Sequence, residues 1–165
     1  MLLNSLIVRM DSSGDGNFGS RRSKGHAHQG TDFLVTKGDK IKAPENGVLV
    51  RIAKPYASDN RFSGFVFKGV SGYEYKVFYV APITSLIGKS VTKGKTIAIA
   101  QSISTKYSSA MKDHIHVEIR KGNKLFDPIK YFSAISKGGG FAWLFLLALG
   151  ILATTITTSK NKSNG

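Results

Sequence analysis

Short apolar runs, alternating with polar positions and separated by turn residues, dominate the first 135 residues of this chain. Runs rich in Val, Ile, Phe and Tyr recur at 47–52, 64–68, 75–80, 96–100 and 114–120. Between them stand KGDK, APENG, VSGYE and VTKGK, all with turn chemistry. The opening decapeptide, MLLNSLIVRM, also reads as a strand. It does not read as a signal peptide: no basic residue precedes its apolar run, Arg9 interrupts it, and no small-residue cleavage site follows. Apolar spacing of helical period is confined to a short stretch, 128–135. The pattern predicts one mainly β domain over residues 1–135.

Past that point the pattern changes abruptly. A Gly-rich linker, 136–140, leads into FAWLFLLALGILATTITT, 18 residues (141–158) without a charge. As a helix rising ~1.5 Å per residue this stretch spans about 27 Å, close to the ~30 Å hydrocarbon core of a bilayer. A helix apolar on every side would find too little protein to cover it in a domain this small. Trp143 sits near one end, where an interfacial anchor belongs, and lysines flank both ends. The expectation is a single transmembrane helix over 141–158, followed by a short basic tail, 159–165. Lysine on both sides leaves its orientation open.

Charge and cysteine content narrow the chemistry. Lys and Arg total 24 against 10 acidic residues, a formal charge of +14. Such an excess suits an anionic surface: nucleic acid, acidic lipid or a bacterial wall. Neither an aromatic RNA-binding platform nor a helix-turn-helix pattern supports specific nucleic-acid binding. Cysteine is absent, which excludes disulfides and thiolate zinc sites. Any transition metal would be held by His, Asp or Glu.

All four histidines fall into two H-x-H clusters, His26/His28 and His114/His116. His28 also opens H-x-x-x-D, ending at Asp32. The second cluster lies in KDHIHVEIR. On a strand, His114, His116 and Glu118 share one face, while Ile115, Val117 and Ile119 share the other. Two segments thus offer His, Asp and His as candidate ligands. Three protein ligands plus water is the open arrangement of catalytic zinc, which activates water and polarises a carbonyl without a Ser or Cys nucleophile.

HQGTD and HIHVE, in that order and separated by strands and glycine turns, resemble the paired motifs of the lysostaphin/LytM-type zinc endopeptidases. GNFGSRR, KGDKIKAPENGVLVRI and GKSVTKGKTIAIA resemble further segments of that family, so the similarity runs over about 12–132. It implies a small antiparallel sheet crossed by a groove, and hydrolysis of peptide links in bacterial peptidoglycan. Carried over by position, it implies His28, Asp32 and His116 as zinc ligands and His114 as general base or water-orienting group. Arg21 or Arg22 would border the groove, and His26 has no counterpart. One departure stands out. Active family members carry a further His two residues after a Tyr that matches Tyr79, and this chain has Ala81 there. The vertebrate leukocyte-derived chemotaxin shares that local pattern, keeps the zinc site and acts as a binding protein.

The expectation is therefore a membrane-anchored zinc endopeptidase of the bacterial cell envelope or a phage virion membrane. A phage-encoded lysin would fit a lytic domain carrying its own membrane helix. The alternative is a zinc-containing binding module whose catalysis is lost with the missing His.

Overall fold

The computed structural model describes residues 2–22, 25–107 and 110–138. Twelve strands and one α-helix lie among them: β1 (Met10–Asp11), β2 (Gly14–Asp15), β3 (Thr31–Leu34), β4 (Lys40–Lys42), β5 (Gly47–Ala53), β6 (Gly64–Gly69), β7 (Glu74–Phe78), β8 (Val80–Pro82), β9 (Ser90–Val91), β10 (Thr96–Ala100), β11 (His114–Lys121), β12 (Lys124–Phe126) and α1 (Pro128–Gly138). The chain divides into two compact units, Met1–Tyr131 and Phe132–Gly165. The first is mainly β, as the alternation predicts, and every ladder in it is antiparallel. Of the second unit only the later part of α1 is described, where the Ser136 hydroxyl donates to the Phe132 carbonyl at 2.8 Å. The expected membrane helix at 141–158 lies outside the described residues. Among those described, no helix is long and apolar enough to cross a membrane.

The main sheet runs β12-β11-β7-β6-β5-β9, with β3 pairing the stretch of β11 that β12 leaves free. Its register sorts side chains into two sets. Ile115 pairs Phe33; Val117 pairs Val77, which pairs Phe65; Ile119 pairs Tyr75, which pairs Phe67. All eight are fully buried. Because successive side chains point to opposite faces, the intervening positions face the other way. There His116 pairs both Asp32 and Phe78, and Glu118 pairs Lys76. One period-2 pattern thus builds the core on one face and a polar row on the other.

Two expectations about strands change. Residues 2–9 do not form a continuous opening strand. A bend at Leu3 and Asn4 breaks the run, and only Val8 bridges to β3, opposite Phe33. The Leu34 N–H donates to the Ile7 carbonyl and the Arg9 N–H to the Asp32 carbonyl, both at 2.8 Å. Nor is 75–80 one strand. Tyr79 adopts a left-handed backbone, φ 65°, unlike any other non-glycine residue among those described. The chain turns there, out of the main sheet and into a three-stranded sheet ordered β4-β10-β8. The turn is held by the Tyr79 N–H on the Ser63 carbonyl (2.8 Å) and the Gln101 N–H on the Tyr79 carbonyl (2.9 Å). A bulky residue at positive φ costs about 1–3 kcal/mol, and such strain collects at functional sites.

If the apolar face of β11 carries the stability, Ile115→Ala should cost about 2–5 kcal/mol, the range for truncating a buried Ile. The urea midpoint should fall without a change in slope. A shift below about 0.5 kcal/mol would mean that the two faces are not divided as described.

Candidate metal centre

Three groups meet at one point of the polar row. His28 Nε2 lies 3.0 Å from His116 Nδ1 and 3.2 Å from Asp32 Oδ1, and His116 Nδ1 lies 3.0 Å from Asp32 Oδ1. They form a near-equilateral triangle. Ligands about 2.0–2.1 Å from a tetrahedral zinc lie about 3.3 Å from one another. The triangle is therefore slightly smaller than one face of such a tetrahedron, and a metal with open coordination fits it.

Hydrogen-bond partners decide which nitrogens are bare. His28 Nδ1 donates to the Asn17 carbonyl at 2.8 Å, leaving Nε2 with its lone pair. His116 Nε2 faces Glu118 Oε1 at 3.3 Å, leaving Nδ1 toward the centre. Glu118 is itself tied to Lys76 at 2.8 Å. The second oxygen of Asp32 accepts from Arg9 Nη2 and Arg22 Nη2, each at 3.1 Å, so Oδ1 is the oxygen turned inward. Two bare imidazole nitrogens and a carboxylate oxygen at this separation repel unless a cation or proton lies among them. Partners that fix each ring and carboxylate from behind are the usual support of a metal site.

The electrostatics agree. Burial would raise the Asp32 carboxyl, but when a proton occupies the inner nitrogens of His116 and His28, the hydrogen bonds they donate outweigh burial and hold the group far below the usual carboxylate range. Burial opposes charge on His116 too, yet Asp32 and Glu118 on either side raise its pKa. Proton and metal therefore compete for the same Nδ1.

The glycine of HQGTD has a steric reason. A Cβ on Gly30 would lie 2.3 Å from the Val117 carbonyl oxygen and 2.9 Å from His116 Cε1. Only a residue without a side chain lets the loop from His28 to Asp32 lie against β11.

His114 stands beside the triangle rather than in it. Its Nδ1 donates to the Lys112 carbonyl at 2.8 Å, and its Nε2 points back toward Asp32 Oδ2 at 4.0 Å. Burial lowers its pKa, only partly countered by Asp32, so the neutral base is favoured. A groove of about 450 Å³ opens over these groups, lined also by Arg22, Phe78, Tyr79, Tyr107 and Met111. The groove arginine is thus Arg22, while Arg21 is exposed and bridges Ala27. His26 is exposed, as its isolation from the motifs suggests. Ala81 does not face this groove. It borders a second cavity of about 390 Å³ with Phe62 and Gln101.

Sequence reasoning found the triangle's members but missed Arg9. Its charge lies 23 positions before Asp32, inside an apolar run. It also missed the role of Asn17, which acts through a backbone carbonyl and so leaves no trace in residue type.

An antiparallel β domain thus gathers two imidazoles and a carboxylate into a candidate metal site at the floor of an open groove. Residues 26–128 match Peptidase family M23. The chain belongs to that family. It is 30% identical over 125 residues to leukocyte cell-derived chemotaxin-2 of Bos taurus, covering 76% of this chain and 78% of that protein. Its fold is that of lysostaphin in solution, with a TM-score of 0.57 at 20% identity, over 72% of this chain and 49% of that one. It also resembles a zinc-containing peptidase from Vibrio cholerae, with a TM-score of 0.53 at 24% identity, over 73% of this chain and 36% of that one. The chain thus spans about half of the lysostaphin chain and about a third of the Vibrio one.

Because Glu118 fixes His116 from behind, Glu118→Ala should weaken zinc affinity about 10- to 100-fold, the usual effect of losing such a support. Competition against a chromogenic chelator reads this directly. Unchanged affinity would show that Glu118 serves only its ion pair with Lys76.

Proposed function

We propose that the chain is a zinc-dependent endopeptidase acting on peptide links of bacterial peptidoglycan. The observation that carries this reading is the triangle of His28 Nε2, Asp32 Oδ1 and His116 Nδ1. A zinc ion held there supplies Lewis acidity and a nucleophile active near neutral pH.

The chain's own residues divide the remaining work. His28, Asp32 and His116 hold the ion. Arg9 and Arg22 spread the negative charge of Asp32 and keep its second oxygen out of the centre. His114 takes the proton of the attacking water at Nε2, since its other nitrogen is committed to the Lys112 carbonyl. Phe78 stacks on His116 with centroids 6.0 Å apart and forms part of the groove wall. An extended peptide fits a groove of this size, and the excess of positive charge favours an anionic wall. Membrane attachment through 141–158 and the division into domain, linker, helix and basic tail belong to the same proposal.

A second reading, a zinc-containing binding module, is favoured by two observations. Ala81 stands where the family carries a histidine, and the chain is 30% identical to a chemotaxin.

Incubation with purified peptidoglycan separates the readings. New amino groups should appear, and a chelator should stop their release. His114→Ala should lower the rate by about 10²–10⁴-fold while zinc stays bound, the scale of losing one general base. Binding to peptidoglycan without new amino groups would instead support the module. Attachment is tested apart from this. The full chain should co-sediment with lipid vesicles and a chain ending at residue 135 should not. A full chain that stays in the supernatant without detergent would contradict the anchor.

A further inference from the structure

The peptidase reading leaves one chemical role empty. The scissile carbonyl develops negative charge opposite the attacking water, and a positioned donor usually stabilises it. The histidine that the family supplies after Tyr79 is absent, and Ala81 faces another cavity. The groove wall nevertheless offers a different donor.

Tyr79 stands at the junction between β7 and β8, where φ is 65°. In a regular strand Phe78 and Tyr79 would point to opposite faces. Here both line the groove. The Tyr79 ring meets His114 edge-on, with centroids 5.3 Å apart and planes at 83°. A costly backbone conformation, fixed by hydrogen bonds at both its N–H and its carbonyl, thus serves to bring a phenol beside the proposed base.

Its hydroxyl proton is free for use. The Tyr56 hydroxyl donates to the Tyr79 oxygen at 3.2 Å, and Tyr56 and Tyr107 hydroxyls lie 2.8 Å apart. Each phenol has one proton. If Tyr56 gives its own to Tyr79, Tyr107 must give its own to Tyr56. The chain runs Tyr107 to Tyr56 to Tyr79. Among the described residues no acceptor meets the last proton, and Tyr79 lines the groove. Accepting a hydrogen bond makes a phenol a stronger donor in turn. Burial also raises the Tyr79 pKa, outweighing the opposing effect of Tyr56, so the phenol keeps its proton at neutral pH.

We propose that the Tyr79 hydroxyl is the second hydrogen-bond donor of the reaction centre, placed by its left-handed backbone and polarised by Tyr56 and Tyr107. It donates to the carbonyl oxygen as charge develops there and retains its proton throughout. The proposal rests on the peptidase reading for its substrate, but the hydroxyl's availability does not depend on turnover. Tyr79 is then a catalytic residue; Tyr56 is a positioning residue that acts through it.

Two measurements on the zinc-loaded full chain test this, using Tyr79→Phe, Tyr56→Phe and Ala81→His. The first is hydrolysis of a pentaglycine peptide. Tyr79→Phe should lower kcat about 10²–10³-fold, the effect of removing one oxyanion donor, with KM and zinc content unchanged. Tyr56→Phe should lower it less, and Ala81→His should leave it alone. The second is calorimetric binding of a glycine phosphinate pseudopeptide, whose tetrahedral anionic oxygens mimic the charged carbonyl. Tyr79→Phe should weaken this binding by a similar factor without changing affinity for the amide peptide. Equal phosphinate affinity in wild type and Tyr79→Phe would overturn the proposal, as would unchanged kcat. A gain in kcat by Ala81→His would also overturn it, because position 81 would then reach the groove. A wild-type chain that binds phosphinate but cleaves nothing would sink the peptidase reading alone, with Tyr79 still judged by binding. A wild-type chain that does neither would sink both.

Discussion

Asp32 stands directly opposite His116 in the antiparallel pairing of β3 with β11, and everything at the centre depends on that register. A slip of β11 by one residue would send His116 to the apolar face and bring Ile115 or Val117 opposite Asp32. The buried rows of Phe33 with Ile115, and of Val117 with Val77 and Phe65, make such a slip costly. The hydrophobic core therefore sets the geometry of the candidate metal centre. Gly30 completes the constraint, because only a bare backbone brings His28 to the same point.

The second layer of control is electrostatic. Placing two imidazoles and a carboxylate within 3.0–3.2 Å of one another is unfavourable without a cation. The surroundings do not relieve it; they maintain it. Asn17 and Glu118 occupy the outer nitrogens of His28 and His116, and the two arginines occupy the outer oxygen of Asp32. Each support removes an alternative hydrogen bond, so the inner atoms have little to pair with except a metal or a proton. A centre of this kind gains its affinity from groups that never contact the ion.

The amino-acid pattern made part of this legible. The alternation in HIHVEIR states which residues share a face, and the structure agrees. H-x-x-x-D names the other two groups, because loop and strand together bring His28 and Asp32 to one point. What the pattern could not give falls into two kinds. Backbone acceptors such as the Asn17 and Lys112 carbonyls exist at every residue, so nothing in the sequence marks these two as the ones that fix a tautomer. Departures from regular backbone are equally silent. The run 75–80 alternates well enough for one strand, yet Tyr79 breaks it because Ser63 and Gln101, distant in sequence, hold its backbone. That single turn moves Tyr79 into the groove and leaves Ala81 outside it. A positional match to a family motif could not anticipate such a change, since it assumes the same backbone.

The most direct test of the centre is nitrogen NMR of the histidine side chains during a zinc titration of the full chain. Each ring nitrogen reports separately whether it carries a proton, a lone pair or a metal. One equivalent of zinc should shift His28 Nε2 and His116 Nδ1 into the metal-bound range, leaving His28 Nδ1 and His116 Nε2 protonated and His114 uncoordinated. Coordination through His26 or His114, or the absence of any saturable shift at one equivalent, would contradict the site.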